Sequence, residues 1–261
     1  MSMLTLERQN EIMKLLKTEK SVLVHDLAKR FFTGESTIRR DLARLEKKKL
    51  IKRTYGGAML LEGLNTEIPL SVREREMSDA KNQIGRLAAN LVEDGDCIIL
   101  DSSTTVHTML RFLHGKEDLI ILTNGIKLAM DAGQELHCKI YCTGGILREN
   151  SSSLVGDTAQ RFIQEHAIQK LFFSCRAISH TLEAMDVSDE EAVLRRTMIA
   201  HADKVYLLCD HSKLGKTAFN RICSLAEVDA LLLDEPPAPP MEALLQQNGI
   251  HYLCSTTEKS N

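Results

Sequence analysis

With 261 residues, 43% hydrophobic and 26% charged, the chain has the make-up of an ordinary globular protein, long enough for one large domain or a small one plus a medium one. No apolar run approaches the ~20 residues of a membrane span, and the N-terminus lacks the apolar core and cleavage site of a signal peptide, so a cytoplasmic protein without a membrane partner is expected. The net charge of -3 is unevenly spread: residues 1–58 hold 14 Lys/Arg against 7 Asp/Glu, and the rest of the chain 19 against 29, so only a small basic head is suited to a polyanion.

Three helical patterns follow one another in that head. Ile12, Leu15 and Leu16 share a face; Val24, Leu27, Ala28 and Phe31 repeat at i, i+3, i+4, i+7; Ile38, Leu42 and Leu45 form the third stripe. The second break, Thr33–Glu35, is short and contains Gly34, the pattern of a helix-turn-helix. The third helix commits its apolar face to a core and leaves Ser36, Thr37, Arg39, Arg40, Arg44, Lys47, Lys48 and Lys49 on its other faces. Arg can grip guanine edges with two hydrogen bonds, and Ser or Thr can reach phosphates or bases, so this is the composition of a recognition helix for double-stranded DNA. The stretch LIKRTYGGAML reads as two strands around Gly56-Gly57, a wing that places Lys52, Arg53 and Tyr55 near phosphates. A winged helix used only for protein contact is the alternative, but it leaves the Arg and Lys placement unexplained.

The run STIRRDLARLE, with Arg8 and Ile12 before it and KRTYGGA after it, resembles the N-terminal signature of the DeoR family of sugar-metabolism repressors. The resemblance implies that Thr37, Arg39 and Arg40 touch DNA and that Asp41 is structural, paired with a nearby Arg. Two positions depart from the family pattern: Phe32 and Gly34 stand where a Gly and a Ser cap are usual, and Lys49 replaces a Gly before the wing.

Residues 59–80 are polar, carry one Pro and read as a linker, with a short helix expected near Arg73–Met77. Glu67, Pro69, Arg73 and Lys81 resemble the acidic-Pro, Arg and Lys series of the same family. The body, 81–261, alternates helical patterns with apolar strands: CIILD, LIILT, KIYC, KLFFSC, KVYLLCD, DALLLD and IHYLC are strands, while IGRLAANLVEDG, TTVHTMLRFL, GIKLAMDAG, DTAQRFIQEHA, SDEEAVLRRTMIAHA and MEALLQQNG are helices. Continuous apolar strands between helices predict an α/β fold with a parallel sheet covered on both faces, and ligands of such folds sit at the carboxyl ends of the strands. The segment PPAPP reads as a surface turn.

Polar residues gather at those strand ends. Asp101, Ser102, Ser103, Thr104 and Thr105 open a helix after one strand; Thr123 and Asn124 follow the next; Thr143, Gly144, Gly145 and Arg148 follow a third; and Asp210-His211-Ser212-Lys213 follows a fourth. A hydroxyl-rich helix start is a ready phosphate cradle, though each motif alone is also a cap or a turn. In order and type these motifs resemble the DeoR-family effector domain, which is similar in fold to ribose-5-phosphate isomerase. The resemblance implies that Ser102 to Thr105 hold a sugar phosphate and that Thr123, Asn124, Gly144, Gly145 and Lys213 line its pocket. Asp101 is expected to bind sugar hydroxyls. Arg176 is expected either at a second phosphate contact or paired with Asp186 or Glu183. The FSC at 173–175 resembles the fucose-operon branch, whose effector is a ketose 1-phosphate.

The seven cysteines, Cys97, Cys138, Cys142, Cys175, Cys209, Cys223 and Cys254, form no CxxC and sit mostly beside apolar runs, so buried free thiols are expected rather than a metal site or cofactor. A sugar-phosphate isomerase carrying a DNA-binding head is the second hypothesis. It needs a poised carboxylate base, and the loop SCRAISH, where related isomerases hold acids, has none. A metal- or redox-sensing regulator is the third, and no ligand cluster is visible for it. The leading expectation is a repressor joined as a dimer or tetramer through its body, with the sequence leaving open whether the sugar phosphate releases or promotes DNA binding.

Overall fold

A computed structural model describes residues 4–19, 21–48, 50–54, 56–60, 70–148 and 150–255. The chain separates into two compact units, Met1–Val72 and Arg73–Asn261. Lys49, Tyr55, Glu67 and Pro69 lie outside the described residues, as does the side chain of Lys52.

In the first unit, α1 (Thr5–Glu19), β1 (Ser21–Leu23), α2 (Val24–Arg30) and α3 (Glu35–Lys47) precede a hairpin of β2 (Ile51–Thr54) and β3 (Gly57–Leu60). The strands form an antiparallel sheet in the order β1-β3-β2. Gly57 is required there: a Cβ would lie 1.9 Å from the Val22 carbonyl oxygen. Ile12, Leu16, Leu27, Ile38, Leu42, Leu45 and Ile51 fill a core common to the three helices and the wing. Beneath it, Arg8 Nε meets Asp41 Oδ2 at 2.6 Å with both side chains buried, and Gln9 donates to Oδ1 at 3.2 Å. Asp41 thus ties the first helix to the third, as the sequence suggested.

The turn between α2 and α3 explains one departure. Phe32 has φ 49° in the position where a helix end favours glycine, and the Thr33 N–H bonds back to the Ala28 carbonyl at 3.0 Å. Its ring is 96% exposed and so contributes no burial. Phe32→Gly is therefore expected to raise the stability of this unit by about 1 kcal/mol. An unchanged or lower melting midpoint contradicts this.

The short helix α4 is Leu70–Arg73; the residues up to Met77, where the sequence suggested a helix, are turns instead. The second unit continues with α5 (Ser78–Ala89), β4 (Cys97–Leu100), α6 (Thr104–His107), β5 (Ile120–Thr123), α7 (Ile126–Glu135), β6 (Lys139–Cys142), β7 (Ile146–Arg148), β8 (Ser153–Val155), α8 (Asp157–Gln164), β9 (Ile168–Ser174), β10 (Ala177–Ile178), β11 (Glu183–Asp186), α9 (Asp189–His201), β12 (Ala202–Cys209), β13 (Asn220–Ser224), β14 (Ala230–Leu233), α10 (Pro239–Gln247) and β15 (Tyr252–Cys254). Seven strands make one parallel sheet in the order β15-β14-β12-β9-β4-β5-β6. Its two faces bury separate clusters. Phe173, Ile163, Met198 and Leu245 lie in one, and Phe172, Ile84, Met109 and Leu128 in the other. The alternation of aliphatic side chains on β4, β9 and β12 between these clusters is why those strands read as unbroken apolar runs.

Several details differ from the sequence reading. TTVHTMLRFL makes only the one-turn α6 and a 3-10 turn at Leu110–Phe112. Of PPAPP, the last two prolines open α10, where a missing N–H costs nothing. The β7–β8 hairpin and the antiparallel β10-β11-β13 sheet were not predicted. Cys175, Cys209, Cys223 and Cys254 are buried free thiols, while Cys142 is exposed.

Candidate functional site

On α3 the chemistry lies where an amphipathic helix must put it. Ile38, Leu42 and Leu45 point inward, leaving Ser36, Arg39, Arg40 and Arg44 exposed and Thr37 half-buried. Arg39 makes an exposed pair with Glu35 at 3.1 Å, a solvent-screened contact easily exchanged for a better acceptor. Arg53 on the wing is tethered to α3: its Nε and backbone N–H meet the two carboxylate oxygens of Glu46 at 2.7 and 3.0 Å. The wing and the helix therefore present their cations as one surface.

The loop after β4 is less open than expected. Asp101 is buried and faces inward: Oδ2 accepts from Arg195 Nε at 2.9 Å and from the Ser174 N–H at 3.3 Å, and Oδ1 accepts from the Ser103 N–H at 3.0 Å. It is a structural anchor rather than a ligand for sugar hydroxyls. The Ser103 hydroxyl caps α6 by accepting from the Val106 N–H at 3.2 Å, and Thr105 is 1% exposed. Ser102 is half-buried and Thr104 is buried. Asn124 stitches this loop to the β7–β8 hairpin, accepting from the Ser102 N–H at 3.0 Å and donating to the Leu154 carbonyl at 3.2 Å, while the Thr123 hydroxyl accepts from the Gly125 N–H at 3.0 Å. Gly144 and Gly145 make a positive-φ turn, and a Cβ on Gly145 would lie 2.4 Å from the Val155 carbonyl oxygen. Gly145 serves a close backbone approach, and Gly144 a positive-φ turn.

Arg148 and Arg176 also differ from expectation. Arg148 pairs with Glu191 at 3.1 Å, and Glu191 in turn accepts from Ser153 at 2.6 Å and pairs with Arg195 at 3.4 Å. Burial works against the Glu191 charge, but Arg195 and the two serines Ser153 and Ser151 hold its carboxyl at about 2. Arg176 makes neither ion pair expected of it: Asp186 is taken by Arg195 at 2.7 Å and Glu183 by Arg221 at 3.3 Å.

What replaces the expected cradle is a buried group of cations. Lys213 follows β12 and bonds to the Ser174 hydroxyl at 3.1 Å and to Asp210 Oδ2 at 3.4 Å. Burial is the largest influence and opposes its charge, yet Asp210, Cys209 and Cys175 together hold the ammonium above its ordinary range. Asp210 is ionised for the reciprocal reason: burial raises it, but Lys213, the Ser212 hydroxyl and Lys81 bring it below the usual carboxylate range. Lys81, in the first turn of α5, is 4% exposed. Burial and then the Lys213 ammonium push it down to about 7 against the pull of Asp210, and Arg73 and Arg176 add to the repulsion. Arg176 is itself lowered by burial, with only partial relief from Asp186 and Asp210. Lys213 touches Asp210, and Lys81 and Arg176 feel the same carboxylate's charge without contacting it, so cations outnumber carboxylates here, a balance that an incoming dianion would neutralise. Beside it, His211 Nδ1 meets Asp234 at 2.6 Å and Glu235 at 3.5 Å. Their donor atoms lie within 4.8 Å of one another, a grouping not visible in sequence and accounted for by its own hydrogen bonds.

Residues 8–63 match the DeoR-like helix-turn-helix domain, and residues 76–235 match the DeoR C terminal sensor domain. The chain belongs to the DeoR family. Among DeoR-type relatives, the uncharacterized HTH-type transcriptional regulator YulB of Bacillus subtilis (strain 168) is 35% identical over 95% of this chain and 96% of its own. The HTH-type transcriptional repressor GlcR of the same organism is 34% identical over 97% of both. Ribose 5-phosphate isomerase from Plasmodium falciparum shares 14% identity over 54% of each chain with a TM-score of 0.39, a likeness that carries no weight beside the family match.

Within this DeoR-family chain, the sequence reading placed Asp210 in a strand-end motif but missed Lys81 and Arg195 as candidate site-forming residues, although both left a signal. Lys81 shares a stripe with Ile84, Gly85 and Ala88, and Arg195 shares one with Glu191, Leu194 and Met198, all buried at i, i+3, i+4, i+7 spacing. A charge on the buried stripe of an amphipathic helix must be paired or must serve a ligand. No helix among the described residues of this DeoR-family protein is long and apolar enough to cross a membrane.

Proposed function

We propose that this protein is a cytoplasmic repressor of a sugar-utilisation operon that binds operator DNA through α3 and the wing and is released by a phosphorylated sugar held in its second unit. The observation that carries the reading is Lys213 held between Asp210 and Ser174 at the carboxyl ends of β9 and β12, with the buried Lys81 and the half-buried Arg176 under the influence of the same carboxylate. Ligands of open α/β sheets bind at that end, and the surplus charge matches a phosphate dianion flanked by an acceptor for sugar hydroxyls. Ser102 and Thr104 are the hydroxyls of the β4 loop left to join it. Thr37, Arg39, Arg40 and Arg44 read the groove, with Ser36, Lys52 and Arg53 on phosphates. A dimer or tetramer would present two such heads to repeated half-sites. Isomerase chemistry finds no support in the carboxylates at hand: Asp101 and Asp186 are locked on Arg195, and Asp210 is held ionised by Lys213.

DNA selected by the full chain from a random pool tests the head. Arg39→Ala is expected to cut discrimination between selected and random DNA by about tenfold or more, the loss of 1–3 kcal/mol that goes with one base-edge contact. Retained discrimination contradicts the placement of α3.

The depressed Lys81 gives the ligand step a pH signature. An anion beside Lys81 raises its pKa, so above pH 7 the bound form holds more protons than the free form. Binding at pH 8 is expected to take up close to one proton, and affinity falls as pH climbs from 7. Calorimetry in buffers of different ionisation enthalpy measures this; zero uptake contradicts a role for Lys81.

A further inference from the structure

Resting on the reading of α3 as the recognition helix, we infer that Phe32 belongs to the DNA-reading surface and sets its ring on the C5-methyl of a thymine in the major groove, beside the base edges reached by Thr37 and Arg39. In the free head this side chain is unfavourable on two counts. Its backbone is left-handed, φ 49°, a conformation that a residue with a Cβ keeps only when its surroundings impose it. Three hydrogen bonds impose it: the N–H groups of Phe31, Phe32 and Thr33 close the end of α2 onto the carbonyls of Leu27, Lys29 and Ala28 at 2.9, 3.2 and 3.0 Å. A glycine could make the same three bonds without the strain. The ring gives nothing back, because Phe32 is 96% exposed while its neighbour Phe31 packs against the core.

The place of Phe32 on the head says what covers it. It stands two residues before Gly34, the N-cap of α3. A recognition helix reads bases from its N-terminal residues, so the turn that opens it is carried to the groove with them. On the α2 side Lys29 and Arg30 flank it, both exposed, and residues 27–34 contain no Asp or Glu. The first acid beyond, Glu35, is engaged by Arg39 at 3.1 Å and faces His25 at 3.4 Å. A single aromatic ring among cations is complementary to a polyanion that carries apolar groups between its charges. On the base edges of the major groove that group is the thymine methyl, and phenylalanine is one of the side chains that meets it. The bonded turn holds the ring outward before DNA arrives, so little order is lost on contact.

The test uses the full protein and a duplex that it selects from a random pool. Each thymine of the site is replaced in turn by deoxyuridine, which removes the C5-methyl alone. One replacement is expected to weaken binding by the native protein about three- to tenfold, the loss of one buried methyl contact. Phe32→Gly and Phe32→Asn both accept a positive φ, and the pair separates loss of the ring from loosening of the turn. Both are expected to bind the unmodified duplex more weakly by a similar factor and to ignore that one replacement, and Phe32→Gly is expected to melt higher than the native protein. A selected site without thymine, or native affinity in both variants, overturns the inference. Weaker binding by the variants with every replacement still felt as in the native protein puts the ring elsewhere on the DNA and overturns the thymine contact. Arg39→Ala, measured alongside, keeps the two readings apart: if it loses discrimination while the Phe32 variants do not, α3 remains the recognition helix and only the contact of Phe32 falls.

Discussion

Arg195→Met is expected to destabilise the second unit by about 4 kcal/mol or more, lowering its melting midpoint by roughly 10 °C. The guanidinium is 5% exposed and holds three buried carboxylates: Asp101 at 2.9 Å, Asp186 at 2.7 Å and Glu191 at 3.4 Å. Methionine fills much of the volume but leaves those charges facing one another, so the loss is electrostatic rather than a cavity. The sign of the pH dependence separates the two. In the native protein Glu191, held at about 2, contributes stability that is complete above its unfolded value and is lost only as pH falls towards 2, so this group leaves stability flat between pH 7 and 5. In the variant Glu191 stays buried without the guanidinium that holds it down, so its carboxyl is expected to rise above its unfolded value, and stability should increase as pH is lowered from 7 to 5. A variant that melts within 2 °C of the native protein, or that is flat over that range, contradicts this account of the network.

Lys213→Met carries the largest functional effect. The Lys213 ammonium is largely buried and touches both Asp210 and Ser174, so it is a rigid, pre-placed cation rather than a surface charge. Losing one buried charge-assisted contact to a phosphate costs about 2–5 kcal/mol, a drop in effector affinity of about 30-fold or more. With DNA recognition proposed for α3 and the wing, the variant should still occupy its operator and should fail to leave it when the sugar phosphate is added. Isothermal titration and an operator-binding assay together decide this. Normal release by the effector contradicts the assignment of Lys213.

The head was legible because local rules decide it. The three apolar stripes, the glycine pair of the wing and the arginines opposite Ile38 and Leu42 each follow from helix or hairpin geometry alone, and the structure places them as read. The sheet strands were legible for the same reason, since a strand buried on both faces has little choice but to be apolar. The site was legible in outline only. Strand-end motifs pointed to one end of the sheet, but spacing in sequence cannot tell a ligand from a brace. Asp101 and Arg148 look like ligands until Arg195 and Glu191, nearly a hundred and some forty residues away, are seen to hold them. Lys81 read only as the residue that opens a helix after the linker, and its burial comes from the packing of α5 against the sheet. The β10-β11-β13 sheet escaped for a related reason: its strands are short, and β13 pairs with β11 across a helix and a sheet strand of the main fold.

The measurement that bears most directly on the whole account is the melting midpoint of the full protein against phosphorylated sugars and their free counterparts, with operator release assayed in parallel. A ligand at 100 times its dissociation constant adds about 2.7 kcal/mol of stability, a shift of several degrees. One phosphorylated sugar is expected to raise the midpoint and to change operator occupancy, with its free sugar inert in both assays. Stabilisation by the free sugar alone, or by no phosphorylated sugar, would contradict a phosphate-sensing pocket built from Lys81, Arg176 and Lys213.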